Sequence, residues 1–229
     1  MDDIETLFLD AVGTLFGIRE APGEVYARFA QAHGITVDTD RVAASFFKAW
    51  KGAADPAYDP TSDTDARETV DRHWWKAIVR ESLRLADAAP EESQFQACFE
   101  DIFTYYGTVE PWYVYPDTLK VLPRLRADYN LVVLSNFDGR LLKVMDALEL
   151  TPLVHHILYS SSLGACKPSP EAFDRALKAA NAKRGQTLHI GDDPDTDAKG
   201  AAAAGLQFFH LKRPETDLHA LEKHLAQAR

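Results

Sequence analysis

The stretch TLFLDAVGTLF, residues 6–16, decides the fold of this chain. Thr6 to Leu9 run without polar alternation into Asp10, and Gly13 and Thr14 follow. A strand covered on both faces of a parallel sheet reads as such an unbroken apolar run. An acid at the end of that run falls at the carboxyl edge, where open α/β sheets bind their ligands. The runs YNLVVLSN (129–136), HHILYSS (155–161), QTLHIGD (186–192) and QFFHLK (207–212) have the same character and are predicted as further strands. Helical patterns separate them at 116–127, 139–148, 170–180 and 197–204. The last is predicted to open on Asp197 as its cap and to close at Gly205. Strand–helix alternation of this kind implies a Rossmann-like open parallel α/β sheet with right-handed crossovers.

The middle of the chain is written differently. From Ala21 to Tyr106 apolar residues recur at three- and four-residue steps, and no segment reads convincingly as a strand. The chain is therefore expected to form an α/β core from residues 1–17 and 112–229, with 18–111 an inserted all-helical domain. Hinges are placed near 16–19 and 107–116, and 51–65 reads as a turn-rich loop. Phe46, Phe47, Trp50, Trp74, Trp75, Tyr105 and Tyr106 read as helix-bundle core in preference to a substrate cavity.

Composition narrows the function. A length of 229 residues suits one core domain with a smaller inserted one. A formal net charge of −10 argues against nucleic acid or an anionic membrane as partner. No apolar run approaches the ~18 residues of a membrane helix. The acidic start MDDIETLFLD lacks the basic region of a signal peptide. Two cysteines, Cys98 and Cys166, make no disulfide framework, and a cytoplasmic setting fits. Cys166 beside Lys167 has no accompanying histidine motif and reads as a small core residue.

Four strand ends carry chemically distinct groups. Asp10 follows the first, Ser135 and Asn136 the second, Lys167 lies beyond the third, and GDDPDTD (191–197) follows the fourth. Each alone has a bland reading as a cap or loop residue. Their order and spacing together resemble the haloacid dehalogenase-like (HAD) hydrolases, in the subfamily with a helical cap between the first two motifs. Asp10-Ala11-Val12-Gly13-Thr14 stands for the first motif, Ser135 for the second, Lys167 before Pro168 for the third, and Asp192 with Asp197 for the fourth. The resemblance spans essentially the whole chain. It implies a Mg²⁺-dependent phosphatase acting on a small phosphorylated metabolite through an aspartyl phosphate on Asp10. It places Asp10, Thr14, Ser135, Asn136 and Lys167 in the catalytic group. Around the metal it places Asp10, the Val12 carbonyl, Asp192 and Asp197, the last orienting Lys167 in preference to direct ligation. Asp193 and Asp195 read as solvated loop acids. Substrate choice falls to the helical cap, and oligomeric state is not encoded in these motifs.

Val12 departs from the pattern, since the phosphatases of the family carry there an aspartate that protonates the leaving group and then activates water. Losing a general acid–base costs ~10²–10⁴-fold, roughly 3–5 kcal/mol of barrier. A catalytic protein of this sequence is expected to favour good leaving groups. Three rivals rank below. A 2-haloacid dehalogenase also has a bulky non-acid here and carries LSN, as at residues 134–136. Against it stand the acidic fourth motif and the lack of a cap arginine, Lys48 being the only cation in ASFFKAW. A phosphonatase would need Lys48 or Lys51 as a Schiff-base lysine. A non-catalytic binding or regulatory protein would have little reason to keep the whole set of site residues.

Overall fold

The computed structural model describes residues 3–59 and 61–227. Met1 and Asp2 of the acidic start, Pro60 of the 51–65 loop and the last two residues of the tail lie outside the described residues. The chain divides into two compact units, Arg19–Pro111 and Met1–Ile18 with Trp112–Arg229.

The Arg19–Pro111 unit is built from α1 (Pro22–Ala32), α2 (Thr39–Gly52), α3 (Thr64–Leu85) and α4 (Glu92–Tyr105). Asp38 and Asp63 start α2 and α3 by accepting the Arg41 and Ala66 amides, each at 2.9 Å. Tyr26, Ala30, Val42, Phe46, Ile78, Leu83, Phe95 and Phe99 form its core. The expectation of aromatic core residues holds for Phe46, with Trp74, Trp75 and Tyr106 packed against that core. It fails for Phe47 and Trp50, which are 53% and 41% exposed. Both lie on α2 with Phe46, and a helix of this kind buries one face only.

The other unit carries the strands β1 (Thr6–Leu9), β2 (Phe16–Ile18), β3 (Trp112–Val114), β4 (Asn130–Ser135), β5 (His156–Tyr159), β6 (Thr187–Gly191) and β7 (Gln207–His210). Five of them form one sheet in the order β5-β4-β1-β6-β7, every pair parallel. Leu9 lies opposite Val133 on β4 and Ile190 on β6, so the ends of the three central strands come level. The chain builds outward from β1 in one direction through β4 and β5. It then returns to the other side for β6 and β7. Their shared edge is thus a topological switch point.

Side-chain alternation fills both faces. Phe8, Val132 and Leu134 pack with Phe173, Ala176 and Leu177 of α8 (Pro170–Ala179) and Ala201 of α9 (Lys199–Ala203). Leu7, Leu9, Leu131 and Val133, also fully buried, project from the opposite face. The remaining helices are α5 (Pro116–Asp128), α6 (Arg140–Ala147), the four-residue α7 (Ser160–Leu163) and α10 (Leu218–Gln227).

Two features depart from the sequence reading. The segments assigned as hinges contain β2 and β3, which pair antiparallel with Phe16 opposite Val114 and Ile18 opposite Trp112. Each strand is only three residues long, too short for periodicity to register. The helix assigned to 197–204 also starts otherwise. Pro194–Ala198 forms a wide π-type turn ahead of α9, and the capping acid is Asp193, whose carboxylate accepts the Asp195 and Thr196 amides at 2.8 Å. Asp197 turns inward instead. Gly205, at φ +67°, ends α9 as expected.

Candidate active site

The backbone sets the first carboxylate. The Asp10 amide donates to the Ile190 carbonyl at 2.8 Å and prolongs the β1–β6 ladder by one residue. A tight turn follows, in which the Ala11 carbonyl accepts from Leu15 at 2.8 Å and Phe16 at 3.2 Å. Gly13 holds φ +92°, and a Cβ built there would lie 2.4 Å from an Asp192 oxygen. Only glycine lets the turn after β1 approach the loop after β6 so closely. The oxygens of Asp10, Asp192 and Asp197 consequently lie within 4.8 Å of one another.

Lys167 enters this group from the loop before α8. Its side chain is 2% exposed, and Nζ donates to Asp10 Oδ1 at 2.6 Å and to Asp197 Oδ1 at 2.5 Å. Asn136 fixes the backbone from which it reaches: Nδ2 donates to the Lys167 carbonyl and Oδ1 accepts the Lys167 amide, each at 2.7 Å. The Asn136 amide, expected among the catalytic groups, is therefore occupied as a clamp on Lys167. Ser135 is buried at the end of β4, beside β1. Thr14 is fully buried, its Oγ1 has no hydrogen-bond partner among the described residues, and its carbonyl accepts from Arg213 Nη2 at 2.8 Å. Val12, half-buried, bridges to Phe16 within the turn.

Burial shifts every charge here. Desolvation pushes the Asp10 carboxyl up to about 7 against the pull of Lys167, with Asp197 and Asp192 adding to the rise. Asp192 is pushed up to about 6 by burial and by Asp197. Burial would raise Asp197 too, but Lys167 and His189 outweigh it and hold that carboxyl well below its usual range. Burial likewise opposes the Lys167 charge, yet Asp10 and Asp197 keep the ammonium above its ordinary value. Asp197 is thus the firmly ionised acid, while Asp10 and Asp192 carry charge that a cation would relieve.

Oxygen-only donors suit a hard divalent cation. Asp10 and Asp192 fit that role, and the close approach over Gly13 brings them together. Asp197 fits less well. Its Oδ1 accepts from Lys167 and His189, and its Oδ2 accepts the Asp193 amide at 3.1 Å. Three of about four lone-pair positions of the carboxylate are taken by the protein.

The sequence reading missed His189, fully buried on β6, because a histidine inside an apolar run reads as strand filling. It also missed the Asp117–Arg213 pair. Arg213 donates to both Asp117 oxygens at 2.9 Å and to the Thr14 carbonyl, tying α5 to the turn after β1. Asp195 is the solvated acid expected, paired with Lys199. Asp193 is not, since it caps the π-type turn. Cys98 is a core residue whose thiol burial pushes up to about 11, and Cys166 is half-buried.

Comparison with known proteins follows the same lines. The family of haloacid dehalogenase-like hydrolases matches residues 4–205. The mouse haloacid dehalogenase-like hydrolase domain-containing protein 3 is 30% identical over 203 residues, which is 87% of this chain and 78% of its own length. A HAD phosphatase from Thermococcus onnurineus superposes with a TM-score of 0.65 at 19% identity, covering 97% of this chain and 98% of its own. An L-2-haloacid dehalogenase from Xanthobacter autotrophicus gives a TM-score of 0.68 at 18% identity, covering 99% and 84%. Phosphatase and dehalogenase thus share this fold, and neither likeness selects between the two reactions. With the family matched across most of its length, the chain belongs to the haloacid dehalogenase-like hydrolases.

Proposed function

We propose that the protein is a Mg²⁺-dependent phosphohydrolase of the cytoplasm that acts on a small phosphorylated metabolite through an aspartyl phosphate on Asp10. The observation that carries this reading is the pairing of Asp10 with Asp192 across Gly13, two acids whose ionised forms burial disfavours. Asp10, Asp192 and the Val12 carbonyl would hold the ion, which when bound cancels repulsion between the carboxylates and the phosphoryl group. Asp10 Oδ1 is engaged by Lys167, leaving Oδ2 to attack phosphorus. The phosphorus–oxygen bond to the leaving group breaks as the acyl phosphate bond forms, and water then attacks phosphorus and regenerates the carboxylate. Two Lys167 N–H groups donate hydrogen bonds to Asp10 and Asp197; the third, with the Ser135 hydroxyl, would donate to the phosphoryl oxygens.

Val12 supplies no proton. The leaving group therefore departs as an anion, which favours aryl and acyl phosphates. Hydrolysis of the acyl phosphate loses its base as well, so this intermediate builds up. We expect Mg²⁺-dependent release of 4-nitrophenolate from its phosphate ester, starting with a burst, and turnover of glucose 6-phosphate lower by ~10²-fold or more. Equal rates on the two esters would overturn the leaving-group preference. Val12 also favours a second reading, halide displacement, since halide needs no proton. Metal-independent chloride release from 2-chloropropionate would establish that reading in place of the first.

A further inference from the structure

We infer that His189 is a positioning residue that sets the active-site lysine through Asp197. The inference rests on the phosphohydrolase reading for its kinetic test and on geometry alone for its structural one. His189 lies on β6, fully buried, with a ring nitrogen at each end of a chain of contacts. Nδ1 is 3.1 Å from the Phe8 carbonyl on β1, and Nε2 is 2.9 Å from Asp197 Oδ1. That same oxygen receives Lys167 Nζ, which also bonds Asp10. Through Asp197 Oδ1, His189 on β6 is therefore linked to Lys167 and by it to Asp10 at the end of β1. Phe173 and Phe208 flank the imidazole, with ring centroids 5.1 and 5.9 Å away, and fix its plane.

An ionised carboxylate can only accept, so Nε2 must carry a proton in its bond to Asp197; the Phe8 carbonyl also only accepts, so Nδ1 donates to it only when the ring carries both protons. The donor holds Oδ1 from one side while the Asp193 amide holds Oδ2 from the other. Together they set the torsion of the Asp197 carboxylate and so the place where Lys167 ends. Remove the histidine donor and the carboxylate can swing, taking Lys167 away from Asp10. Partners at this remove from the chemistry commonly cost 10–100-fold when lost, and a shift of about 1 Å can cost ~10²-fold.

Two substitutions separate this role from packing. His189→Gln places an amide nitrogen where Nε2 stood and loses the Phe8 contact. His189→Asn places one where Nδ1 stood and loses the Asp197 contact. Both lose the ring packing, and Asn, one methylene shorter and without the Asp197 bond, should melt somewhat lower than Gln. With 4-nitrophenyl phosphate and Mg²⁺, we expect His189→Asn to lower kcat by about 10–100-fold and His189→Gln to recover most of it. Equal kcat in the two variants, measured well below both melting temperatures, would overturn the proposal. Ring ¹⁵N shifts of His189 give the second arm. A proton on Nε2 at neutral pH supports the link, and a bare Nε2 overturns it. If Nε2 is protonated but the wild type turns over no aryl phosphate, the phosphohydrolase reading fails while the His189–Asp197 link stands.

Discussion

Asp10 keeps its carboxyl almost out of water, so protons, Lys167 and a cation compete for it. That competition has a measurable sign. Asp10 and Asp192 are pushed up to about 7 and about 6, so below these values a bound ion must displace protons. Mg²⁺ affinity should therefore fall as pH drops from 8 to 5. Calorimetry near pH 6, in buffers of different ionisation heat, should record proton release on binding; an affinity flat with pH would contradict the assignment of these two acids. Val12 makes the second test at this scale. Val12→Asp restores an acid beside Asp10 and should raise turnover of glucose 6-phosphate by ~10²-fold or more; by restoring the base for hydrolysis of the acyl phosphate it should also raise turnover of 4-nitrophenyl phosphate and remove its burst. Unchanged rates and an unchanged burst in Val12→Asp would show that the valine limits something other than proton transfer.

At the scale of elements, Asn136, just past the end of β4, clamps the backbone of the loop bearing Lys167. Asn136→Ala leaves the Lys167 amide and carbonyl without that partner, at about 1–3 kcal/mol. For a chain of this size that lowers the melting temperature by roughly 2–4 °C per kcal/mol, and turnover should fall with it. An unchanged melting curve and rate would remove Asn136 from the account. The five sheet strands were legible in the sequence because continuous runs such as LVVLS and TLFL are what a doubly covered strand requires. The ends of those strands were legible too, since Asp10, Ser135 and Asp192 change chemistry abruptly there. The β2–β3 ribbon was not, because three-residue strands far apart in sequence carry no period of their own. Nor was the part of Asp193. An acid at the first position of a turn and one four residues on look alike in sequence, and only the π-type turn sends Asp197 inward and leaves Asp193 to cap. His189 escaped notice for a related reason, since its partners come from β1 and from the turn after its own strand.

For the molecule as a whole, the buried acids couple stability to pH and to metal. A carboxyl whose folded pKa is raised binds a proton more tightly folded than unfolded, where aspartate titrates near ~3.9. Between that value and about 7, Asp10 and Asp192 make the metal-free protein lose stability as pH rises. Mg²⁺ should restore it, so the rise in melting temperature on adding the ion should be larger at pH 8 than at pH 5. The reverse order would contradict the charge balance described for the site. Among the described residues no helix is long and apolar enough to cross a membrane. The central claim is that Asp10 becomes covalently phosphorylated, and the absent acid at position 12 makes the intermediate long-lived enough to trap. Acid quenching during turnover of 4-nitrophenyl phosphate with Mg²⁺, followed by peptide mass spectrometry, should find one phosphoryl group on Asp10 and none in Asp10→Asn. Steady turnover with Asp10 unmodified, or undiminished in Asp10→Asn, would contradict it.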